Sequence, residues 1–377
     1  MSLITYLTRI QFDAGAVKTI ADELRLLSVK RPLIVTDKGL VAAGLVEHVI
    51  NAGGLPGEPP VYDGTPENPT EAASLEARDL FRAASCDSIV ALGGGSPLDL
   101  AKAVALLVTH PEPLAQYAVI LGGLDKITAR KPPVIAVPTT AGTGSEVGRA
   151  ALITLNDGRK LGFISPHMIP NVAICDPELT LGLPPLLTAA TGMDAVTHCI
   201  ETYLSPRYNP PADAIALDGL SRAARFIRKA THNGKDIEAR TEMMMAALQG
   251  GMTFQKGLGA VHAMSHALGG LSSPRLHHGT LNAVILPAVL RFNAPSNDAK
   301  YRALKAAMGL PDGADLSAEI VKLNSDLGLP KSLSAMGLTP SHTAAKLADT
   351  VNDHSSATNP RPASAQDYER LFAEAMA

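Results

Sequence analysis

The 377-residue sequence lacks several features that mark whole classes of protein. It contains no tryptophan, only 4% aromatic residues and a net charge of −3. A protein that binds nucleic acid needs a positively charged surface and often aromatic side chains on which bases stack, so we expect no nucleic-acid partner. Three scattered cysteines, Cys86, Cys175 and Cys199, form no CxxC pair. Neither a disulfide framework nor a thiolate zinc site is therefore predicted.

Long apolar runs are also missing. The longest, at 104–108 and 284–290, fall far short of the roughly 20 residues that span a membrane. The start, MSLITYLTRIQFD, has neither the basic region nor the apolar core of a signal peptide. We therefore expect a soluble, cytoplasmic protein with no membrane partner. At roughly 150 residues per domain, the length suggests two domains.

The pattern of apolar residues changes along the chain. Short β-branched runs at 31–37, 88–92 and 133–137 alternate with helical periodicity, which indicates a parallel sheet covered on both faces. Beyond about residue 181 such runs thin out, and Ala, Leu and Met recur at helical spacing. The sequence thus predicts a Rossmann-like α/β domain over residues 1–181 and an all-α domain over residues 182–377.

Two glycine-containing loops follow predicted strands. The strand at 88–92 runs into Gly93-Gly94-Gly95-Ser96, where exposed backbone N–H groups and the start of a helix can hold a phosphate. An alternative is a tight turn in which Ser96 caps the helix and Pro97 begins it. The second loop, 138–146, supplies hydroxyl groups after the next strand. Two such loops at neighbouring strand ends favour a bound nucleotide.

Asp37 ends the first predicted strand. A carboxylate there can accept hydrogen bonds from an adenosine ribose and repels a 2′-phosphate, which favours NAD over NADP. The alternative role for Asp37 is to cap the next helix.

Metal-binding residue types recur at helical spacing in the second half. Asp194 and His198 lie four residues apart, as do His262 and His266, and His277-His278 follows a short loop later. Residues four apart share one face of a helix. One carboxylate with three imidazoles suits Fe(II) or Zn(II), and such an ion lowers the pKa of an alcohol, as hydride transfer requires.

These segments together resemble the iron-containing (group III) alcohol dehydrogenases. The matching motifs, in order, are GGGSPLDLAK at 93–102, PTTAGTGSEV at 138–147, Asp-x-x-x-His at 194–198, VHAMSHALGG at 261–270 and HHGTLNAVILP at 277–287. The resemblance covers essentially the whole chain. It implies a dehydroquinate-synthase-like fold, a catalytic metal, NAD and a homo-oligomer.

The resemblance also implies a role for individual residues. It assigns the metal ligands to Asp194, His198, His262 and His278. His278 lies twelve positions after His266, a longer spacing than is usual in the family, which leaves His277 as an alternative ligand. His266 is implied to lie beside the nicotinamide and to help shuttle the alcohol proton. The implied cofactor contacts are Asp37, Gly94, Gly95, Ser96, Asp99, Thr139, Thr140, Ser145 and Lys160.

Within the family, YLTRIQFDAGA at 6–16, VTDKGLVAAGL at 35–45 and NPPADAIALDGL at 209–220 resemble bacterial 4-hydroxybutyrate dehydrogenases. This implies reversible oxidation of 4-hydroxybutyrate to succinate semialdehyde. A carboxylated substrate needs a local cation, and Arg149 is the first candidate, with Lys256 and Arg275 behind it. Alternatives are a dehydrogenase of the same fold for another short alcohol, glycerol or hydroxy acid, and a dehydroquinate-synthase-like lyase.

Overall fold

The computed structural model describes residue 4, residue 6 and residues 8–55, 57–271 and 273–377. Among them the chain forms two compact units. One comprises Tyr6–Thr140 and Ser145–Thr180, and the other Ala141–Gly144 and Leu181–Ala377. The short loop 141–144 thus belongs with the second half of the chain. The domain boundary at residue 182 stays a prediction.

The first unit is an α/β layer structure. Its strands are β1 (Arg9–Phe12), β2 (Pro32–Val35), β3 (Val61–Tyr62), β4 (Ser88–Gly93), β5 (Val134–Pro138), β6 (Ala150–Thr154), β7 (Lys160–Ile164) and β8 (Val172–Cys175). Its helices are α1 (Ile20–Leu26), α2 (Lys38–Ala42), α3 (Leu45–Ala52), α4 (Glu71–Ala83) and α5 (Gly95–Thr109). Six strands form one parallel sheet in the order β1-β8-β5-β4-β2-β3, and β6 and β7 form an antiparallel pair.

The sheet is buried on both faces because its apolar residues alternate between two cores. Leu33, Val35, Ile89 and Ala91 pack with residues of α4 and α5. Their neighbours Ile34, Val90 and Leu92 pack with residues of α1 and α3 on the other face. Burial on both sides explains the continuous apolar runs that predicted these strands.

The strand order places the carboxyl ends of β2 and β4 side by side. Leu33 to Val35 pair with Ile89 to Ala91 in parallel, and the chain reaches β4 from β3 by passing back across β2. In open α/β sheets, ligands bind outside the strand ends at such a reversal of order. Asp37 and the Gly93-Gly94-Gly95 turn follow these two strands.

The second unit is helical throughout its described residues. Its helices are α6 (Pro185–Leu204), α7 (Pro210–His232), α8 (Ile237–Met252), α9 (Ala260–Gly269), α10 (His278–Asn293), α11 (Asp298–Ala307), α12 (Leu316–Asp326), α13 (Pro340–Val351) and α14 (Ala365–Met376). Helix α6 is buried along most of its length and packs against α7, α8 and α10. In the part of the chain that the structure describes, no helix has the length and apolar character to cross a membrane.

The predicted fold class is confirmed, with local differences. The helix expected to run from the first strand to about residue 52 is divided into α2 and α3 by Gly44, whose φ of 72° lies in the left-handed region. The β6–β7 pair and three strands of the main sheet, β1, β3 and β8, were not expected from the sequence. β6 and β7 alternate between partly and fully buried residues, a weaker pattern than the continuous runs of β4 and β5.

Candidate active site

The first glycine loop forms where β4 passes directly into α5. Gly93 has a φ of 149°, and a Cβ there would lie 2.6 Å from Cγ of Pro97, so the turn requires glycine. Helix α5 begins at Gly95 with Gly94 as its N-cap, and no side chain caps it. The Ser96 hydroxyl instead donates to the backbone carbonyl of Glu67, so the interpretation of Ser96 as the helix cap is wrong. The backbone N–H groups at the start of α5 suit an anion.

The second loop lies against the first. Gly93 pairs with Pro138 in the sheet, and the backbone N–H of Thr139 donates to the carbonyl of Gly93 at 3.0 Å. A Cβ on Gly94 would lie 3.4 Å from Cγ2 of Thr140, so the two loops are in van der Waals reach. The structure therefore brings Gly94, Gly95, Thr139 and Thr140 together at one strand end.

A buried lysine ties these loops to the β6–β7 pair. The Lys102 ammonium is 1% exposed and donates to Ser145 Oγ at 2.8 Å and to the carbonyls of Gly148 and Ala150. Ser145 Oγ donates to Asp99 Oδ1 at 2.6 Å, and the other Asp99 oxygen accepts from the backbone N–H of Leu152 at 2.9 Å. Burial lowers the pKa of Lys102. Asp99 and Ser145, predicted to contact the cofactor, thus bond each other and brace the loop.

The remaining predicted cofactor residues lie in the same unit. Asp37 accepts from the backbone N–H of Leu40 at 3.0 Å, so it caps α2 and lies two residues after the end of β2. Lys160 Nζ donates to Asn68 Oδ1 at 2.9 Å, and burial lowers the pKa of Lys160. Arg149, the candidate for a substrate carboxylate, is partly buried just before β6.

Four predicted metal ligands converge in the helical unit. Oδ1 of Asp194 lies 3.5 Å from Nε2 of His198 and 3.7 Å from Nε2 of both His262 and His278. Asp194 and His198 come from α6, His262 from α9 and His278 from the first turn of α10. The rings of His198 and His262 stack with centroids 4.7 Å apart. His277 lies outside this cluster, with Nδ1 3.5 Å from the Thr280 hydroxyl, so the geometry favours His278 as the ligand.

The electrostatics of this cluster suit a cation. Burial disfavours an ionised Asp194, but the imidazoles of His198, His278 and His262 outweigh it and hold the pKa of that carboxyl well below its usual range. Burial lowers the pKa of His198 to about 4, so this ring is neutral at pH 7. Its Nδ1 donates to the carbonyl of Gly142 at 3.2 Å, which leaves a lone pair on Nε2.

Asn282 faces the centre of the cluster. Its amide NH₂ donates to Asp194 Oδ1 at 2.7 Å and points at Nε2 of His262 and His278 at 3.2 and 3.1 Å. Its buried Oδ1 has no hydrogen-bond partner. The Asn282 hydrogens that approach these donor atoms carry a partial positive charge, as a bound cation would. A carboxylate oxygen with imidazole nitrogens grouped around it at these distances fits a divalent ion.

The Glu201 carboxylate completes the surroundings of His262. Its Oε2 accepts from His262 Nδ1 at 2.6 Å. Although burial disfavours the charged ring, the neighbouring carboxylates of Asp194 and Glu201 raise the pKa of His262 to about 9. Glu201 lies seven residues after Asp194 on α6, so helical spacing from that residue could have identified it from the sequence.

His266 lies at the edge of the cluster and connects it to a second group. Its ring stacks on His278 and His354 with centroid distances of 5.5 and 5.7 Å. Its Nδ1 donates to Oδ2 of Asp353 at 3.1 Å. Burial raises the pKa of Asp353, but the neighbouring His266 outweighs this and lowers it well below the usual range. Asp353 was not predicted, since no sequence spacing links it to His266.

The other two candidate cations for a substrate carboxylate differ in setting. Lys256 is 1% exposed and pairs with Asp213, and its Nζ also donates to the carbonyl of Tyr203 at 3.3 Å. A substrate would have to displace Asp213 to use this ammonium. Arg275 is exposed in the loop before α10.

Comparisons with known proteins cover almost all of the chain. Residues 8–177 match the family described as iron-containing alcohol dehydrogenase, and residues 188–376 match the C-terminal part of the same family. The chain is 53% identical to a 4-hydroxybutyrate dehydrogenase of Cupriavidus necator over the full length of both.

Solved structures agree with these matches. The fold is similar to that of a 1,3-propanediol oxidoreductase, with a TM-score of 0.93, 36% identity and complete coverage of both chains. It is also similar to a sulfoacetaldehyde reductase from Bifidobacterium kashiwanohense in complex with NAD⁺, with a TM-score of 0.90, 26% identity and coverage of 100% and 98%.

Proposed function

The chain belongs to the iron-containing alcohol dehydrogenase family, and from that premise we propose that it catalyses the reversible, NAD-linked oxidation of 4-hydroxybutyrate to succinate semialdehyde. The observation that carries the substrate is 53% identity over the full length to an enzyme of that activity. The observation that supports the chemistry is that three imidazole nitrogens lie 3.5 to 3.7 Å from one oxygen of the buried Asp194 carboxylate. The protein is therefore an oxidoreductase with Fe(II) and NAD as its cofactors.

Asp194, His198, His262 and His278 would hold the ion. One oxygen and three nitrogen donors suit Fe(II) and Zn(II) alike, so the donor set allows Zn(II) as an alternative. A bound divalent ion polarises the alcohol oxygen and lowers the pKa of the alcohol. The protein contributes ionised Asp194 and neutral His198, which need no change of protonation to act as ligands.

His266 would receive the proton that the alcohol loses. Because Nδ1 donates to Asp353, the nitrogen that can accept a proton is Nε2. The ring stacks on His278, so it lies beside the cluster that holds the ion. We assign it the role of proton relay, and no side chain forms a covalent intermediate.

NAD would bind at the carboxyl ends of β2, β4 and β5. Backbone N–H groups of Gly94 and Gly95 at the start of α5 suit the pyrophosphate, and the hydroxyls of Ser96, Thr139 and Thr140 are close in the chain to the same strand ends. Asp37 would accept from the adenosine ribose, and Lys160 would contact a ribose of the cofactor. Asp99 and Ser145 contribute by holding the second loop.

Arg149 is our candidate for the substrate carboxylate. Carboxylates bind guanidinium groups through paired hydrogen bonds, and a net charge of −3 supplies no general attraction for an anion. The Arg149→Ala variant is expected to lose its preference for 4-hydroxybutyrate over 1-butanol, measured as the ratio of kcat/KM. An unchanged ratio would remove Arg149 from this role.

A substrate panel tests the proposed function directly. NADH formation is measured with Fe(II)-loaded protein and 4-hydroxybutyrate, 3-hydroxypropionate, glycerol, 1,3-propanediol or ethanol. We expect the highest kcat/KM with 4-hydroxybutyrate. A higher value with 1,3-propanediol would assign the chain to the activity named for one of its structural relatives. Metal analysis of the purified protein separates iron from zinc.

Location and assembly are part of the same proposal. Family membership supports a cytoplasmic enzyme that acts as a homo-oligomer. Light scattering of the purified protein measures its mass in solution, and fractionation of the source cell measures its location. A mass of one 39.3 kDa chain would contradict the assembly.

A further inference from the structure

Helix α6 carries a third polar side chain on the face that bears two of the predicted ligands. Asp194, His198 and Glu201 lie at positions i, i+4 and i+7, and each is less than 5% exposed. Burial of a carboxylate costs free energy unless its oxygens are fully hydrogen-bonded. Glu201 must therefore have specific partners, and all of them lie between residues 259 and 262.

The Glu201 carboxylate accepts three hydrogen bonds. Oε2 accepts from His262 Nδ1 at 2.6 Å and from the backbone N–H of Gly259 at 3.1 Å, and Oε1 accepts from the backbone N–H of Val261 at 2.7 Å. Gly259 is the N-cap of α9 and has no side chain to cap the helix. Glu201 thus supplies the cap from a neighbouring helix.

The same carboxylate fixes the orientation of the His262 ring and keeps a proton on its Nδ1. With Nδ1–H held by Glu201, the lone pair that can bind a cation is on Nε2, which lies 3.7 Å from Asp194 Oδ1. The ring therefore needs no rotation to act as a ligand, and the proton that it gives up when a cation binds is the one on Nε2. A ligand imidazole that is held by a carboxylate is also a better electron donor to its ion.

The residues around Gly259 leave little space for another arrangement of the Glu201 side chain and the first turn of α9. A Cβ on Gly259 would lie 2.8 Å from Glu201 Oε1 and 2.9 Å from Asn359 Oδ1. Asn359 Oδ1 in turn accepts from the backbone N–H of Ala260 at 3.1 Å. The first turn of α9, two residues before its metal ligand, is therefore held from two sides.

We propose that Glu201 is a positioning residue that sets the metal affinity of the site by orienting His262 and fixing its tautomer. The inference rests on the metal site of the proposed function and extends it to a residue outside the ligand set. Glutamine has nearly the same shape as glutamate but carries an NH₂ group. In the Glu201→Gln variant that group must face at least one of the three N–H donors, and the negative charge that faces His262 Nδ1–H is lost.

The test is the dissociation constant for Zn(II) and Co(II), measured by competition with a chromophoric chelator. Since removal of such an outer partner typically costs 10–100-fold in metal affinity, we expect a rise of about that size in Glu201→Gln. The Glu201→Asp variant, which keeps the charge at a shorter reach, is expected to lose less. Equal affinity of both variants and the unmodified protein would overturn the proposal.

Asp176 offers a matched control. It is fully buried in the other unit and accepts from the backbone N–H groups of Gly15, Val17 and Glu178 at 3.0 to 3.1 Å. The Asp176→Asn variant should lower the thermal midpoint as Glu201→Gln does, but leave the metal dissociation constants unchanged. A comparable loss of metal affinity in Asp176→Asn would show that general destabilisation explains the effect, which would also overturn the proposal.

A spectroscopic measurement separates orientation from stability. In the Co(II)-loaded protein, each ligand imidazole with a protonated Nδ1 gives a hyperfine-shifted, exchangeable proton resonance. We expect Glu201→Gln to move one such resonance and to speed its exchange with solvent, while that of His198, held by the Gly142 carbonyl, stays in place. Unchanged resonances would contradict the role of Glu201. A wild-type protein that binds metal but forms no NADH would instead contradict the proposed function alone.

Discussion

Oδ2 of Asp353 lies 3.1 Å from Nδ1 of His266, although 87 residues separate the two in the chain. The bond holds the ring that stacks on His278 and leaves Nε2 as its accepting nitrogen. Asp353 is itself held by the backbone N–H of Ser355 at 2.8 Å. The geometry is that of a carboxylate that orients an imidazole, here the one that we propose as the proton relay.

Removal of Asp353 should therefore slow turnover. Proton transfer by a positioned side chain typically raises the rate of a reaction by 10²–10⁴-fold. Because Asp353 holds the ring that we propose for this transfer, we expect Asp353→Ala to lower kcat by about 10–100-fold, with a smaller change in KM. The control is Asp349→Ala, which removes an exposed partner of Lys346 on α13. A kcat within twofold of the unmodified enzyme would contradict the positioning of His266 by Asp353.

Gly279 is expected to be essential for the contact between α10 and α6. A Cβ at this position would lie 2.2 Å from the carbonyl oxygen of Ala190, a backbone atom that cannot give way. Overpacking of this kind costs roughly 1–3 kcal/mol or more, so Gly279→Ala should lower the thermal midpoint by roughly 3–10 °C. It should also weaken metal binding, because both helices carry ligands.

Gly313 is the matched control for that substitution. It has no atom within 4 Å of an added Cβ and no positive φ. Gly313→Ala is expected to leave the thermal midpoint unchanged or slightly raised. Equal midpoints for the two alanine variants, measured by differential scanning calorimetry, would be inconsistent with this packing of α10.

Asp37 caps α2 and is proposed to select NAD, and one pair of variants can separate these two roles. Asparagine caps a helix as well as aspartate does, so Asp37→Asn should keep the stability of the protein, whereas Asp37→Ala should lose about 1 kcal/mol. Two unit charges about 5 Å apart interact by about 3 kcal/mol at an effective dielectric of 20. Removal of the charge in either variant should therefore raise the kcat/KM ratio of NADP to NAD tenfold or more. An unchanged ratio in both would exclude Asp37 from cofactor selection.

Glu146 gives a prediction for the dependence of stability on pH. Burial raises the pKa of its carboxyl from 4.5 to about 7, against a smaller opposing effect of Lys102. Between these values the folded protein binds the proton more tightly than the unfolded chain, so a rise in pH lowers the stability. The contribution is complete below pH 4.5 and is lost as the pH passes 7. A shift of this size corresponds to about 3 kcal/mol.

The measurement compares unfolding free energies of the unmodified protein and Glu146→Gln by denaturant titration at several pH values. Glutamine mimics the protonated carboxyl at every pH. The unmodified protein should therefore lose up to about 3 kcal/mol relative to the variant between pH 4.5 and 8. Parallel curves for the two proteins would show that Glu146 does not titrate in this range.

The parts of the fold that the sequence predicted are those with a strong periodic signal. β4 and β5 are continuous apolar runs because both faces of the sheet are covered, and α8 and α9 repeat apolar residues at helical spacing. The β6–β7 pair was missed because it is short and only half buried. The break between α2 and α3 depends on one left-handed glycine, which a periodic pattern does not reveal.

The candidate site divides in the same way. Asp194, His198 and His262 could be named because helical spacing places each pair of polar residues on one face. Glu201 obeys the same spacing and was overlooked, since an acid on a helix usually faces solvent. Lys102 and Asp353 could not be found, because their roles depend on chain segments that only the tertiary fold brings near them.

We propose that the ion of this iron- and NAD-dependent dehydrogenase is held by the cluster around Asp194. The most direct measurement is NADH formation from 4-hydroxybutyrate by protein stripped of metal with a chelator and then reloaded with Fe(II) under anaerobic conditions. We predict that the stripped protein loses turnover and regains it with Fe(II), while a folded Asp194→Ala variant does not. Turnover that survives complete removal of metal, or that Asp194→Ala regains in full, would contradict the account.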